Sequence, residues 1–288
     1  MKKKIIIFGS RGNLGGYLID YLNNKYTIIS EKSLKKKINF ENIYEIKKIL
    51  LTYNPQTIIN LIAKTDVDEC EIKKNLAKKS NQIIVKNITE AIKSTNIKCH
   101  FIHISTDQVY SGKGHSKNSE TDSNPINYYG KTKFWGENEA LKINSTTILR
   151  TNFIGSNKIK NKYSLSDWIV NSLEKNKKIR TYSNITFNPL YIKTFCKYIN
   201  VVIRKKIYGI YNIGSKNSIS KYNFSNMLCK YLKLNKKLIQ KTFYNKSLSR
   251  AKRPLNMSLN IKKFEKTFDI NLPNVKKEIA LTAKDYLK

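Results

Sequence analysis

Five short apolar runs separated by helical periodicity constrain this chain more than any other feature. The runs are KKIIIF (3–8), YTIIS (26–30), QTIINLIA (56–63), CHFIHIS (99–105) and STTILR (145–150). Between them lie helical spacings: Leu14 to Leu22, a 41–53 segment with Ile43, Ile46, Ile49 and Leu50 in phase, a long helix over 76–95, and another over 128–143. Strands apolar along their whole length are buried on both faces, and strands alternating with helices form a parallel sheet. The expected fold is therefore α/β, a doubly wound parallel sheet, with a smaller C-terminal lobe. Beyond Arg150 the rhythm loosens into helices near 164–174, 190–203, 221–232 and 274–287 and strands near 179–182 and 207–213. No Gly/Ser/Pro linker intervenes. The division expected is residues 1–155 for the nucleotide-binding part and 156–288 for a substrate lobe docked on it, with some segments returning to the sheet.

Composition removes several function classes. At 288 residues and 40% hydrophobic content the chain can build a large core, which excludes disorder throughout. No apolar run approaches the roughly 18–20 residues that cross a bilayer, so no membrane partner is expected. MKKKIIIFGSRG begins like a leader, but its apolar stretch is only five residues long and runs into a glycine turn, so it reads as a first strand. Cys70, Cys99, Cys196 and Cys229 stand far apart, which suits reduced thiols in the cytoplasm. His100 and His103 fall on an apolar strand, His115 stands alone, and no metal is expected. The net charge of +35 resembles a nucleic-acid binder's. Only six of the 55 cationic residues are Arg, however, and the Lys are spread beside many Asn and Ile, as an AT-rich coding bias would spread them. No nucleic-acid partner is expected. Attraction for small polyanions such as nucleotides survives.

Gly9, Gly12 and Gly15 form GxxGxxG directly after the first strand, in GSRGNLG (9–15). Such a loop gives a tight turn, close backbone approach to a pyrophosphate, and a helix N-terminus aimed at negative charge. Gly9, Ser10, Arg11, Gly12, Asn13, Leu14 and Gly15 are the candidate dinucleotide contacts. Glu31, past the second strand, could hold a ribose 2′-hydroxyl and select NAD. Arg11, with Lys32 and Lys35, could instead pair with a 2′-phosphate and select NADP. The cofactor is NADP or NAD, with NADPH slightly favoured.

Tyr129 and Lys133 stand one helical turn apart, the arrangement in which an ammonium lowers a tyrosine's pKa for acid catalysis. With 18 Tyr, and Lys at about one position in six, roughly three YxxxK pairs arise by chance. Three occur: Tyr21–Lys25, Tyr44–Lys48 and Tyr129–Lys133. Spacing is thus uninformative, and context decides. Tyr129 follows a strand ending in Ser105-Thr106-Asp107 and a polar loop, where an open α/β sheet places its ligands.

The segment IHISTDQVYSGKG…ETDSNPINYYGKTKFWGENEA (102–140) resembles the dTDP-4-dehydrorhamnose reductase family, a branch of the extended short-chain dehydrogenase/reductases. PQTIINLIAKTDVDECE (55–71), Asn81, LRTNFIG (149–155) and AKRPLNMSL (251–259) extend the likeness over effectively the whole chain. The resemblance implies Thr106, Tyr129 and Lys133 as the catalytic trio. It adds Ala63 and Asn81 to the cofactor contacts, and its positions suggest Thr106, Asp107 and Asn152 near the substrate. Departures are Asn39, where the family often has Asp, Gln108, where Tyr or Phe is common, and the loosely matching SNITFNPLY (183–191).

The activity implied is reduction of the C4 ketone of a nucleotide-linked 4-dehydro-6-deoxyhexose, for cell-surface polysaccharide sugars. Arg253 is the candidate diphosphate contact, followed by Lys252 and Arg180, although Arg253 could be a structural residue fixed by Pro254. A homodimer is compatible with the resemblance. Two other readings remain: an epimerase or dehydratase on the same scaffold, and a non-catalytic regulatory subunit like that of methionine adenosyltransferase.

Overall fold

The computed structural model describes residues 2–34, 38–114, 116–159, 162–245 and 251–287; Lys35 and His115 lie outside them. In chain order the first half contains β1 (Lys4–Phe8), α1 (Asn13–Leu22), β2 (Thr27–Ser30), α2 (Ile43–Tyr53), β3 (Thr57–Asn60), α3 (Val67–Ile72), α4 (Lys74–Lys78), α5 (Ile84–Thr95), β4 (His100–Thr106), α6 (Tyr128–Ala140) and β5 (Thr146–Thr151). The second half contains β6 (Phe153–Ile154), α7 (Leu165–Glu174), β7 (Ile179–Tyr182), β8 (Thr186–Phe187), β9 (Leu190–Tyr191), α8 (Ile192–Lys205), β10 (Gly209–Ile213), β11 (Ile219–Ser220), α9 (Lys221–Tyr231), β12 (Ile239–Thr242), β13 (Asn256–Met257), α10 (Lys262–Phe268) and α11 (Val275–Ala283).

Six strands form one parallel sheet in the order β10-β5-β4-β3-β1-β2. Strand order reverses between β1 and β3, which opens a crevice at their carboxyl ends. One face packs on α1 and α8 through Leu14, Leu18, Phe195, Ile199 and Val202; the other packs on α2 and α5 through Ile46, Leu50, Val85 and Ile88. Every residue of β3 and β4 is buried, which explains their unbroken apolar runs.

The second half does not separate cleanly at 155. β10 pairs with β5 in the central sheet, and α8 and α10 cover that sheet's α1 face. The lobe proper has its own core around Ile169, Phe187, Phe224, Leu228 and Ile279, built from α7, α9, α11 and small sheets. Most of those strands are two residues long, too short to show a period in sequence. The long helix expected over 76–95 is broken: a π-helical turn occupies Lys79–Ile83 between α4 and α5. That one-residue insertion turns Asn81 fully inward.

Candidate active site

A cleft of about 530 Å³ runs along the carboxyl edge of the sheet, from the glycine loop to the ends of β4 and β5. Gly9, Gly12, Asn13, Leu14, Gly15 and Ala63 line one end. Thr106, Asp107, Tyr129, Lys133 and Asn152 line the other. The chain thus brings most of the predicted residues to one place, from the turn after β1, the start of α1, the end of β4, α6 and the segments that follow β3, β4 and β5.

The glycine end is built for an anion. Gly9 sits at φ +83°, and a Cβ there would stand 2.8 Å from the Ile62 backbone nitrogen, so the turn needs glycine. Gly12 caps α1 without a side-chain hydrogen bond, and the first turn of α1 has no acidic residue. Its N–H groups and the positive end of its dipole are therefore available to a pyrophosphate, and the loop fits a dinucleotide. Three predicted residues take other positions. Glu31 turns inward: its carboxylate accepts the Gly9 N–H at 2.8 Å, the Ser10 N–H at 3.1 Å and the Ser10 hydroxyl. It shapes the loop rather than facing the cleft, because a buried carboxylate takes the nearest donors. Ser10 is buried with it, and Arg11 is exposed. Asn13 ties the loop to the lobe, donating to the Ser156 carbonyl at 3.2 Å and accepting the Lys158 N–H at 3.0 Å.

Asn81 does not border the cleft either. Its side chain accepts the Lys64 N–H at 2.8 Å and donates to the Lys64 carbonyl at 3.1 Å and to Thr132 Oγ1 at 3.0 Å. It clamps the 63–65 segment against α6, and so places Ala63 in the wall.

Of the three YxxxK tyrosines, Tyr44 is 76% exposed and Tyr21 lies under the ammonium of Lys25 in the α1 region. Tyr129 is 7% exposed and borders the cleft. Asn127 starts α6 there, accepting the Gly130 N–H at 2.8 Å and donating to Gln108 Oε1 at 2.8 Å and to the Lys252 carbonyl at 2.9 Å. A Cβ on Gly130 would come within 2.1 Å of the Gln108 carbonyl oxygen, so glycine lets α6 press against the turn that follows Thr106. Gln108, the departure from the family pattern, completes that junction by donating to Met257 Sδ at 2.9 Å.

Burial dominates the electrostatics. The Tyr129 phenol is pushed well above its ordinary value by desolvation, partly offset by its hydrogen bond with Thr106, while Asp107 pushes it further up. Lys133 falls to about 8, because burial disfavours its ammonium and Glu137 only partly compensates. Its Nζ donates to the Ile104 carbonyl at 2.6 Å. The expected lowering of Tyr129 by Lys133 is therefore absent from this arrangement, since the ammonium is spent on the strand end. Asp107 rises to about 6 by burial, although Asn152 Nδ2 donates to it at 2.7 Å. His103, beneath Lys133, is held by Asn60 at 3.1 Å and kept neutral by burial.

Arg253 lies apart. It borders a second recess whose described lining includes Lys113, Lys117, Lys131 and Lys252 and no carboxylate. Its guanidinium donates to Asp68 at 2.6 Å, an ion pair that the sequence did not announce because 185 residues separate the partners. Arg180 stands on the exposed side of β7, with Gln240 at 3.5 Å, and borders neither cavity.

Compared with known proteins, residues 2–288 match the profile described as RmlD substrate binding domain. The chain belongs to that family. It is 29% identical to the spore coat polysaccharide biosynthesis protein SpsK of Bacillus subtilis over 77% of each chain. It is 28% identical to the dTDP-4-dehydrorhamnose reductase of Salmonella typhimurium over 93% of each chain. Among solved structures, the dTDP-4-dehydrorhamnose reductase of Bacillus anthracis in complex with NADP superimposes with a TM-score of 0.88 at 23% identity, covering 98% of this chain and 99% of that one.

Proposed function

We propose that this chain is an NADPH-dependent reductase of the C4 ketone of a nucleotide-linked 4-dehydro-6-deoxyhexose, supplying sugars for cell-surface polysaccharide. The observation that carries this reading is the convergence of Thr106, Tyr129 and Lys133 on the same cleft as the glycine loop. Membership of the RmlD family, and full-length relatives named as dTDP-4-dehydrorhamnose reductases, support it.

Reduced nicotinamide, when bound, supplies the hydride for the carbonyl carbon. The protein's own part is acid catalysis and orientation. Tyr129, kept protonated by its burial, donates the phenolic proton to the oxygen that becomes a hydroxyl. The Thr106 hydroxyl donates to that oxygen as charge develops on it. Lys133, one turn along the same face of α6, would hold the nicotinamide ribose. The side chain of Asn152, fixed on Asp107, orients the sugar.

The preference for NADPH rests on two features. Glu31 has both oxygens engaged within the loop, whereas Arg11 and Lys32 are exposed beside it, where a 2′-phosphate would need cations. The +35 charge acts in the same direction. Four buried free cysteines suit a reducing compartment, and we place the enzyme in the cytoplasm. No helix among the described residues is long and apolar enough to cross a membrane.

The test is consumption of NADPH and of NADH with dTDP-4-dehydro-6-deoxyglucose generated in situ, with and without a 3,5-epimerase. NADPH oxidation that requires the epimerase is expected of a rhamnose-type reductase. Oxidation without it would reassign the sugar, and no oxidation with either would refute the reductase reading.

A further inference from the structure

Below the catalytic residues lies a buried charge network that the mechanism does not use. Tyr129, Lys133 and Glu137 follow at four-residue intervals on one face of α6. Glu137 is 1% exposed, as is Arg150, which reaches it from β5. The guanidinium grips the carboxylate through Nε, 3.0 and 3.2 Å from its two oxygens, and through Nη2 at 2.6 Å. Nη1 donates to the Tyr110 hydroxyl at 2.9 Å and to the Glu120 carbonyl at 2.8 Å. Glu137 also accepts a hydrogen bond from the Ser105 hydroxyl. Ser105 and Arg150 are direct neighbours across the β4–β5 ladder, so one carboxylate links α6 to both strands.

The placement of Ser105 matters. Its neighbour on one side, Ile104, presents the carbonyl that holds the Lys133 ammonium, and its neighbour on the other side is Thr106. A fully buried ion pair adds little net stability over an apolar pair of the same shape, because both charges lose their hydration. Its position directly under the reacting groups points to a functional use.

We propose that Glu137, backed by Arg150, is a positioning residue that sets Lys133 and Thr106 from the protein interior. The other charged or titratable groups around Lys133 are Tyr129 on its own helix, His103 on β4 and Arg150 on β5, with Asp107 and Cys70 bordering Tyr129. His103 is neutral, so Glu137 supplies the nearby negative charge that favours the ammonium. Replacing Glu137 by a neutral group would remove that charge, which pushes the lysine toward its neutral form, and would leave the Arg150 guanidinium without its carboxylate.

This inference rests on the reductase reading for its turnover assay and is independent of it in its binding assay. The experiment is Glu137→Gln, with NADPH affinity and turnover each followed from about pH 6 to about pH 10. The expected result is that the alkaline limb of both profiles moves down by about one pH unit, with the sugar KM within about twofold. Glu137→Asp, which keeps the charge, should restore most of the limb. A lowered Tm with both limbs in place would overturn the proposal and leave a purely structural pair. If the Gln variant does not fold, Ser105→Ala removes only the hydroxyl that Glu137 holds. It should lower kcat about three- to tenfold at unchanged KM, and wild-type kcat would overturn the proposal. A wild-type protein that binds NADPH with an alkaline limb but reduces no sugar would refute the reductase reading alone.

Discussion

On the proposed reading, the reaction end of the cleft and the basic recess bordered by Arg253 would solve different problems, the first chemistry and the second binding of a substrate diphosphate. At the reaction end, Thr106, Tyr129, Lys133 and Asp107 are all buried, and each has a partner within the protein. Around the recess, Arg253 and its partner Asp68 are partly exposed, with side-chain exposures of 30% and 41%, and come from a loop and a short helix. Chemistry needs groups held to fractions of an ångström, which dense packing on a strand end and a helix provides. Recognition of a flexible polyanion tolerates long side chains that pay for their freedom only on binding. A substitution at the first end should therefore act on turnover, and one at the second on the Michaelis constant.

The most severe test is Tyr129→Phe. Loss of the proton donor should cost about 10²-fold or more in kcat, with NADPH affinity near normal by calorimetric titration. Turnover within a fewfold of wild type would remove Tyr129 from the mechanism and collapse the contrast. Gly130→Ala sharpens the point without touching a reacting atom. Its Cβ, 2.1 Å from the Gln108 carbonyl, must move α6 or the turn after Thr106, at a cost of about 1–3 kcal/mol. We expect kcat to fall by about tenfold or more alongside a lower Tm; if Tm falls alone, the trio does not depend on that junction.

At the other end, Arg253→Ala should raise the substrate KM by about tenfold, equivalent to about 1.4 kcal/mol, and leave kcat within about threefold. Because Arg253 is tied to Asp68, a purely tethering role predicts the reverse: a lower Tm and an unchanged KM. Asp68→Asn separates the two, since it frees the guanidinium and should lower KM if Arg253 meets phosphate. The gentlest test is pH. Lys133 is active as an ammonium and its folded value is lowered to about 8, so activity is full below that value and lost as pH rises through it. Turnover should halve near pH 8 and fall about tenfold per unit beyond. A plateau well above that region would show that Lys133 gains a further anionic partner during turnover.

Much of the first half was legible because its signals are local. The apolar runs of β1 and β4 report burial on both faces, and the glycine triplet reports a turn that side chains cannot make. Tyr129 could be chosen over Tyr21 and Tyr44 only from the strand and polar loop before it, and burial then distinguishes it from exposed Tyr44. The π-turn at Lys79–Ile83 was invisible, since one inserted residue barely disturbs a helical period over 76–95. Glu31 was misplaced for another reason: its position after β2 is shared by ribose-binding acids, whereas its actual donors, Gly9 and Ser10, come from the glycine turn after β1, 22 and 21 residues earlier. The lobe's two-residue strands carry no period at all.

By itself the sequence determined the sheet, the loop and the chemical character of the candidate catalytic residues, because each depends on neighbours within a turn or a strand. The tertiary structure decided which groups share a cleft and how they are charged. It alone set Lys133 against the Ile104 carbonyl, paired Arg253 with Asp68, and joined Glu137 to Arg150 across α6, β4 and β5. Desolvation and ion pairing act through space over a few ångströms, and distance along the chain does not encode them.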